Sequence, residues 1–166
     1  MKVDDELGGI AADVLDACRA KGLKLATAES CTGGLIAALL TSVAGSSDVF
    51  ERGFVTYSNE AKIESIGVSA ELVERHGAVS SEVARAMAEG AVRYSRADLA
   101  IAVTGIAGPG GGSETKPVGL VHIAGARRSD ALVLQEEHRF GDLGRDGIRN
   151  ATASMALALL MSLCKG

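Results

Sequence analysis

The feature that most constrains the fold is a short, nearly continuous apolar run, LAIAVT at Leu99 to Thr104, preceded by Asp98. Such a run is typical of a strand buried on both faces, because helices cover both sides of a parallel sheet. It predicts an α/β protein in which this strand is central. The chain has 166 residues, 47% of them hydrophobic, so it has the length of one domain and can bury a sizeable core.

Strand and helix patterns alternate on either side of this run. Helices are predicted at Asp4 to Lys21, Thr32 to Val43, Asn59 to Ile66, Ala70 to His76, Ser80 or Ser81 to about Arg96, and about Arg145 to Leu163. Further strands are predicted at Leu23 to Ala28, Phe54 to Tyr57, Val118 to Gly125 and Ala131 to Phe140. We therefore expect a single domain over residues 1–166, with three α/β/α layers and a mixed, mainly parallel sheet.

Charge and composition argue against several classes of partner. Seventeen Lys and Arg against 21 Asp and Glu give a formal net charge of -4, so the chain lacks the basic field that attracts nucleic acid. Three Phe, two Tyr and no Trp are too few for platforms that stack bases. The N-terminal residues lack a signal-peptide pattern, and no apolar stretch is long and continuous enough to span a bilayer. These observations predict a cytoplasmic protein with neither a nucleic-acid nor a membrane partner.

Cysteine and histidine spacing predicts no disulfide framework and no metal. Cys18, Cys31 and Cys164 are odd in number and share no close spacing. No set of His, Cys, Asp and Glu has the spacing of metal ligands. We expect neither a metal nor another cofactor.

A polar motif, ESCTGG at Glu29 to Gly34, lies where a predicted strand ends and an apolar helix begins. N–H groups in a first helical turn have no intrahelical partner, so with the helix dipole they can hold a phosphate or a developing oxyanion. Gly33 and Gly34 would let a ligand approach closely. The alternative is that Ser30 or Thr32 is only an N-cap and that the glycines only allow tight helix packing.

Ser30 is a candidate nucleophile, and it would need a base. None of the three histidines stands in a motif typical of a Ser/His/Asp arrangement. Tyr57 and Lys62 follow a predicted strand and enter a helix, so they can meet Ser30 across neighbouring strand ends. Burial lowers the pKa of a lysine, and a neutral amine can take the serine proton while the Tyr57 hydroxyl relays it or holds the lysine. The alternative is a partly buried ring and a solvated charge.

Cys31 is a competing nucleophile. Together with Glu29 and Lys62 it supplies the residue types of a nitrilase-like site. A lone cysteine that enters an apolar helix is more often a small buried hydrophobic residue, and only the helix terminus would lower its pKa here.

A second glycine cluster, Gly105 to Gly112, follows the predicted central strand. Ligands of open α/β sheets bind outside the carboxyl ends of the strands, where both glycine clusters would lie. The cluster lacks the P-loop and dinucleotide-binding patterns, which leaves a backbone cradle for one phosphate or a flexible surface loop. Arg145 and Arg149, one turn apart on the last predicted helix, can clamp that phosphate or lie on a solvated face.

Four longer motifs follow one another along nearly the whole chain. They are TAESCTGG at Thr27 to Gly34, FERGFVTYSNEAK at Phe50 to Lys62, HGAVS at His76 to Ser80 and TGIAGPGGGSETKPVG at Thr104 to Gly119. In this order they resemble the CinA C-terminal domain family. The resemblance implies a nicotinamide-nucleotide amidase, which hydrolyses the carboxamide of nicotinamide mononucleotide to nicotinate mononucleotide and ammonia in pyridine-nucleotide salvage.

The same resemblance implies roles for individual residues. Ser30 would be the nucleophile, Lys62 its base and Tyr57 the third catalytic residue. The substrate-binding residues that it implies are Thr32, Gly33, Gly34, Thr104, Gly105, Gly108, Gly110, Gly111 and Arg145. The family commonly has Gly-Asp-Arg where this chain has GDLGR at Gly141 to Arg145, two residues longer, so the choice between Arg145 and Arg149 stays open.

A second hypothesis comes from another functional class. The association of the family with competence and DNA damage suggests a non-catalytic nucleotide-binding partner protein, although the negative charge argues against direct DNA contact. A homo-oligomer also stays open, because the aliphatic helix at Ala151 to Leu163 can face a core or another subunit.

Overall fold

A five-stranded mixed sheet organises residues 4–166, which are the residues that the computed structural model describes. The strands are β1 (Leu25–Glu29), β2 (Phe50–Val55), β3 (Leu99–Gly105), β4 (Leu120–Arg127) and β5 (Val133–Arg139), in the spatial order β2-β1-β3-β4-β5. β1 pairs in parallel with β2 and β3, and β4 pairs antiparallel with β3 and β5, so only β4 runs against the other strands. The predicted mixed sheet is confirmed, with the LAIAVT run as its central strand.

Six α-helices complete the fold in the described part of the chain. They are α1 (Asp5–Ala20), α2 (Leu35–Thr41), α3 (Asn59–Ile66), α4 (Ala70–His76), α5 (Ser81–Arg93) and α6 (Gly144–Lys165). The bounds of α3 and α4 are those predicted, because Ser58 and Ser69 cap their first turns and glycines follow their last residues. Strand β2 begins at Phe50 and ends before Tyr57, which corrects its predicted span.

Helix α2 begins later than the sequence predicts. Residues 31–34 form a turn, in which Gly33 and Gly34 have φ angles of +57° and +102°. An α-helix cannot contain this left-handed backbone, which glycine adopts at little cost. The prediction of a helix from Thr32 is therefore wrong by one turn.

Side chains on the central strand alternate between two helical layers. Leu99, Ile101 and Val103 pack into the cluster formed by α1, α2 and α6. Ala100 and Ala102 face the cluster that contains α3, α4 and α5. All five side chains are fully buried, so the predicted burial on both faces and the three layers are confirmed.

Helix α6 is the one helix within residues 4–166 that is long and apolar enough to cross a membrane by length and composition. The prediction that no apolar stretch is long and continuous enough to span a bilayer did not anticipate that this helix meets the criterion of length and composition. Half of the most apolar stretch of α6 is buried inside the protein. Ile148, Leu157 and Leu160 of this helix pack into the core. A core helix of a soluble protein meets the same criterion, and the expected lack of a membrane partner stays a prediction.

Candidate active site

A cavity of about 220 Å³ opens at the carboxyl ends of β1 and β3. Its wall includes six of the predicted site residues, namely Ser30, Tyr57, Lys62, Thr104, Gly105 and Arg145. The other predicted residues are not part of the cavity wall, namely Thr32, Gly33, Gly34, Gly108, Gly110 and Gly111. Asn59, Ala78, Val79 and Ala107 line it as well and were not predicted individually. Ala78 and Val79 belong to the HGAVS motif, which was the available signal for that wall.

Parallel pairing explains why distant segments meet here. In the sheet register Glu29 lies beside Val55 of β2 and Val103 of β3, so the chain leaves all three strands at one edge. The Ser30 N–H donates to the Val103 carbonyl oxygen at 3.1 Å, which ties the residue after β1 to β3. Ser30 is thereby placed beside the segment that connects β2 to α3.

Ser30 and Lys62 are in direct contact. The Lys62 Nζ atom lies 3.0 Å from Ser30 Oγ and also donates to the Thr56 carbonyl oxygen at 2.8 Å. The Lys62 side chain is only 1% exposed, and within residues 4–166 it pairs with no carboxylate. Burial lowers the pKa of Lys62 because the charged amine is poorly solvated. A neutral lysine held at this distance can accept the hydroxyl proton of Ser30 and activate it as a nucleophile.

Tyr57 occupies a different place from the one expected. Its ring is 59% exposed at the mouth of the cavity, and its hydroxyl accepts a hydrogen bond from Arg145 Nη2 at 3.0 Å. Only its backbone carbonyl oxygen approaches Lys62 Nζ, at 3.5 Å. The expected contact of the Tyr57 hydroxyl with the Ser30–Lys62 pair is therefore absent, since the phenol points to Arg145. A role for Tyr57 at the site stays a prediction.

The two arginines of α6 have different surroundings. Arg145 lines the cavity and donates to the Gly108 carbonyl oxygen at 2.6 Å, in addition to its contact with Tyr57. Arg149 donates to the Thr32 carbonyl oxygen at 2.8 Å and supports the turn before α2. Neither forms an ion pair within the described part of the chain. Of the two, only Arg145 presents an uncompensated positive charge at the cavity.

The N-terminus of α2 is closed by a carboxylate of the protein itself. Glu29, which is 1% exposed, accepts hydrogen bonds from the Thr32 hydroxyl and from the N–H groups of Gly34, Ile36 and Ala37. The Gly33 N–H donates to the Ser30 carbonyl oxygen. The N–H groups at the start of the helix that were expected to be able to hold a phosphate or a developing oxyanion are therefore occupied by Glu29 at Gly34, Ile36 and Ala37. A role for Gly33 and Gly34 in substrate binding stays a prediction. The Thr32 N–H makes no hydrogen bond to another residue within residues 4–166.

Cys31 lies in the wall of the cavity as a thiol. Burial raises its pKa to about 12, so the thiolate that a cysteine nucleophile needs is scarce near neutral pH. Glu29 would be the base of a nitrilase-like arrangement, but both of its carboxylate oxygens accept hydrogen bonds from the turn before α2 and from the first turn of that helix. Glu29 also lies outside the cavity wall. The geometry therefore favours Ser30 over Cys31 as the nucleophile.

The glycine-rich loop closes the far side of the cavity. Thr104 donates from its hydroxyl to the Ala78 carbonyl oxygen at 2.8 Å, which joins the end of β3 to the HGAVS segment. Lys116 donates to the His76 carbonyl oxygen at 2.7 Å and fastens the end of the loop to the same segment. Gly110 and Gly111 are exposed at the outer part of the loop. Gly108 contributes only its carbonyl group, through Arg145.

No cluster of three or more His, Cys, Asp or Glu side chains among residues 4–166 is arranged to hold a metal ion. The polar side chains around the cavity instead carry three hydroxyls, one amine, one guanidinium and one amide, those of Ser30, Tyr57, Thr104, Lys62, Arg145 and Asn59. This set is suited to nucleophilic attack on an acyl group by an activated serine. That the protein uses no metal and no cofactor stays a prediction.

Comparisons with known proteins identify relatives of nearly the whole chain. A family model described as the CinA C-terminal domain matches residues 8–164. A CinA-like protein of Syntrophobacter fumaroxidans is 54% identical over 142 residues, which are 86% of this chain and 33% of that protein. The nicotinamide-nucleotide amidohydrolase PncC of Escherichia coli K12 is 49% identical over 157 residues, which are 95% of this chain and 94% of that protein.

The solved structures agree with this grouping. The competence/damage inducible protein CihA of Agrobacterium tumefaciens superimposes with a TM-score of 0.95 at 51% identity, covering 98% of this chain and 99% of that one. The chain spans about a third of the length of the first curated relatives that it matches, and nearly all of the Escherichia coli protein.

Proposed function

The chain belongs to the CinA C-terminal domain family, and from this premise we propose that it hydrolyses the carboxamide of nicotinamide mononucleotide to nicotinate mononucleotide and ammonia. The observation that carries the proposal is the contact between Lys62 Nζ and Ser30 Oγ, 3.0 Å apart in a buried cavity wall. The Escherichia coli relative is a nicotinamide-nucleotide amidohydrolase by name, which supports the choice of substrate. The pathway that this reaction serves is pyridine-nucleotide salvage.

The first chemical step forms an acyl enzyme. Neutral Lys62 accepts the proton of the Ser30 hydroxyl while Oγ bonds to the carboxamide carbon. The tetrahedral intermediate then loses its C–N bond, and the Lys62 ammonium returns the proton to the departing nitrogen. The products of this step are ammonia and an ester between Ser30 and the nicotinate group.

The second step releases the acid. Lys62, neutral again, takes a proton from a water molecule whose oxygen attacks the ester carbon. The C–O bond to Ser30 breaks, and Oγ recovers a proton from Lys62. The two steps together consume one water molecule for each ammonia and need no other co-reactant.

The cavity wall offers separate groups for the two ends of the substrate. Ala78, Val79 and Ala107 provide apolar surface for a flat pyridine ring next to Ser30. Arg145 lies at the mouth with an unpaired positive charge and can bind a phosphate monoester through its fork of N–H donors. A cationic group for a phosphate in addition to an apolar surface for the ring favours a nucleotide over the free base.

An ammonia-release assay with three carboxamides tests the proposal. We expect turnover of nicotinamide mononucleotide, slower turnover of nicotinamide riboside, and the slowest of free nicotinamide, because each lacks a further group for binding. Calorimetry with the mononucleotide runs beside the assay. Binding without release of ammonia would contradict the amidase and favour the non-catalytic nucleotide-binding protein.

Replacement of Arg145 tests the phosphate contact. Since a hydrogen bond to a charged group contributes about 1.5–3 kcal/mol, we expect Arg145→Ala to raise KM for nicotinamide mononucleotide by roughly tenfold to a hundredfold. The kcat value is expected to change much less, and kcat/KM for the riboside, which has no phosphate, to stay near wild type. Steady-state kinetics on both substrates measure this, and Arg145→Lys separates charge from geometry. An equal loss of kcat/KM on both substrates would contradict the phosphate contact.

A further inference from the structure

A buried carboxylate lies directly behind the candidate nucleophile. Glu29 is the last residue of β1, precedes Ser30, and is 1% exposed. It has no cationic partner within residues 4–166, so four hydrogen bonds satisfy its charge. These donors supply the hydrogen bonds that a buried carboxylate requires.

We propose that Glu29 is a positioning residue, which fixes the turn that carries Ser30 and leaves the N–H group of Cys31, the residue after the nucleophile, free to bind the oxyanion. The inference rests on the proposed amide hydrolysis and names a group that stabilises its tetrahedral intermediate. Glu29 acts through the turn and touches neither substrate nor Ser30 Oγ.

The first support is the direction of the hydrogen bonds. One carboxylate oxygen accepts from the Thr32 hydroxyl at 2.6 Å, from Gly34 N–H at 3.1 Å and from Ile36 N–H at 3.0 Å. The other accepts from Ala37 N–H at 2.8 Å. All four donors lie between Thr32 and Ala37, so one side chain holds both the turn and the first turn of α2. The N-cap residue of α2 has no side-chain cap of its own.

The second support is that the turn is anchored at three points. The Ser30 N–H is fixed to Val103, the Thr32 carbonyl oxygen to Arg149, and the interior of the turn to Glu29. With its backbone fixed on both sides, Ser30 can keep its hydroxyl 3.0 Å from Lys62 without a further side-chain partner. Such preorganisation is required when two groups must react at close range.

The third support is the set of N–H groups that remain. Glu29 accepts hydrogen bonds from three N–H groups at the start of α2, those of Gly34, Ile36 and Ala37. The N–H groups of Gly33 and Leu35 donate to the carbonyl oxygens of Ser30 and Thr32, respectively. The N–H groups of Cys31 and Thr32 make no hydrogen bond to another residue within residues 4–166, but Thr32 is fully buried and lies outside the cavity wall. Cys31 lines the cavity next to Ser30, and the residue after a serine nucleophile supplies an oxyanion donor in other hydrolase folds.

The experiment compares Glu29→Gln with a control that removes a helix cap elsewhere. In Glu29→Gln an NH2 group replaces one of the two carboxylate oxygens, and this group cannot accept a hydrogen bond. At least one donor of the turn or of the first turn of α2 then loses its acceptor, so the turn is expected to shift. A misplacement of Ser30 of this kind is expected to lower kcat by about a hundredfold, while KM for nicotinamide mononucleotide changes little.

Ser69→Ala is the control variant, because it removes the exposed cap of α4, in which Ser69 Oγ accepts a hydrogen bond from Leu72 N–H. It is expected to leave kcat unchanged. Thr32→Val removes only one of the four donors, keeps the backbone N–H, and is expected to lower kcat by a smaller factor.

Two further measurements distinguish a positioning role for Glu29 from direct proton transfer by its carboxylate. In the pH–rate profile of Glu29→Gln the limb set by Lys62 is expected to persist, whereas loss of a limb would make Glu29 a general base and overturn the proposal. A crystal structure of Glu29→Gln is expected to show Ser30 Oγ farther from Lys62 Nζ, and an unchanged 3.0 Å separation would also overturn it. This structural readout does not depend on activity. Absence of ammonia release by the wild-type protein would therefore contradict the proposed function alone.

Discussion

Ser30→Ala is expected to lower ammonia release from nicotinamide mononucleotide by about three orders of magnitude or more, because no acyl enzyme can form without Oγ. Among residues 4–166 the Ser30 side chain makes one hydrogen bond, to Lys62, and its backbone N–H bond to Val103 is retained in alanine. The fold is therefore expected to persist, and thermal unfolding checks this. Steady-state ammonia release measures the loss, and intact-protein mass spectrometry after rapid quenching detects the acyl enzyme in the wild type only.

Cys31→Ala is the matched control for Ser30→Ala. It alters the neighbouring buried side chain in the same cavity wall but leaves the backbone N–H in place. Because burial raises the pKa of Cys31 to about 12, its thiol contributes little nucleophile, and near wild-type turnover is expected. Turnover that survives in Ser30→Ala and disappears in Cys31→Ala would reverse the assignment of the nucleophile.

The central strand and two short helices could be predicted because their signals are local. A continuous apolar run requires cover on both faces, which gave Leu99 to Thr104 the middle position in the sheet. The serine caps and following glycines of α3 and α4 lie within a residue of the helix ends. The start of α2 was mispredicted because its cap, Glu29, lies on the preceding strand and reaches Ile36 and Ala37. Sequence spacing does not reveal such a cap.

Only those parts of the candidate site that depend on the order and direction of the strands could be predicted from the arrangement of the elements. Residues that follow parallel strands meet at one edge, so the approach of Lys62 to Ser30 followed from the order of the elements. The direction of the Tyr57 ring depends on Arg145, which is 88 residues away in sequence. The choice between Arg145 and Arg149 depends on the rotation of α6 about its axis, and its small-residue composition gives no strong apolar stripe from which to read it.

Lys62→Met is expected to reduce turnover as severely as Ser30→Ala, because methionine fills a similar buried volume but cannot accept a proton. Lys62→Arg should be equally inactive, since a guanidinium stays protonated at any pH the protein tolerates. For the wild type, kcat/KM is expected to rise as the pH increases through the lowered pKa of Lys62, where the amine becomes neutral. A pH-independent rate in the wild type would contradict Lys62 as the base.

The same lysine links pH to stability, and this link is independent of catalysis. Burial lowers the pKa of Lys62 in the folded state below its ordinary value of 10.5, so between the two values the unfolded chain binds more protons than the folded one. In that window the free energy of unfolding of the wild type, relative to Lys62→Met, is expected to rise with pH. Below the lowered pKa the cost of burying the charge is present in full, and above 10.5 it is absent. Urea unfolding of the wild type and of Lys62→Met across this pH range measures the difference between their free energies of unfolding. If Lys62 were solvated in the folded protein, this difference would not change with pH.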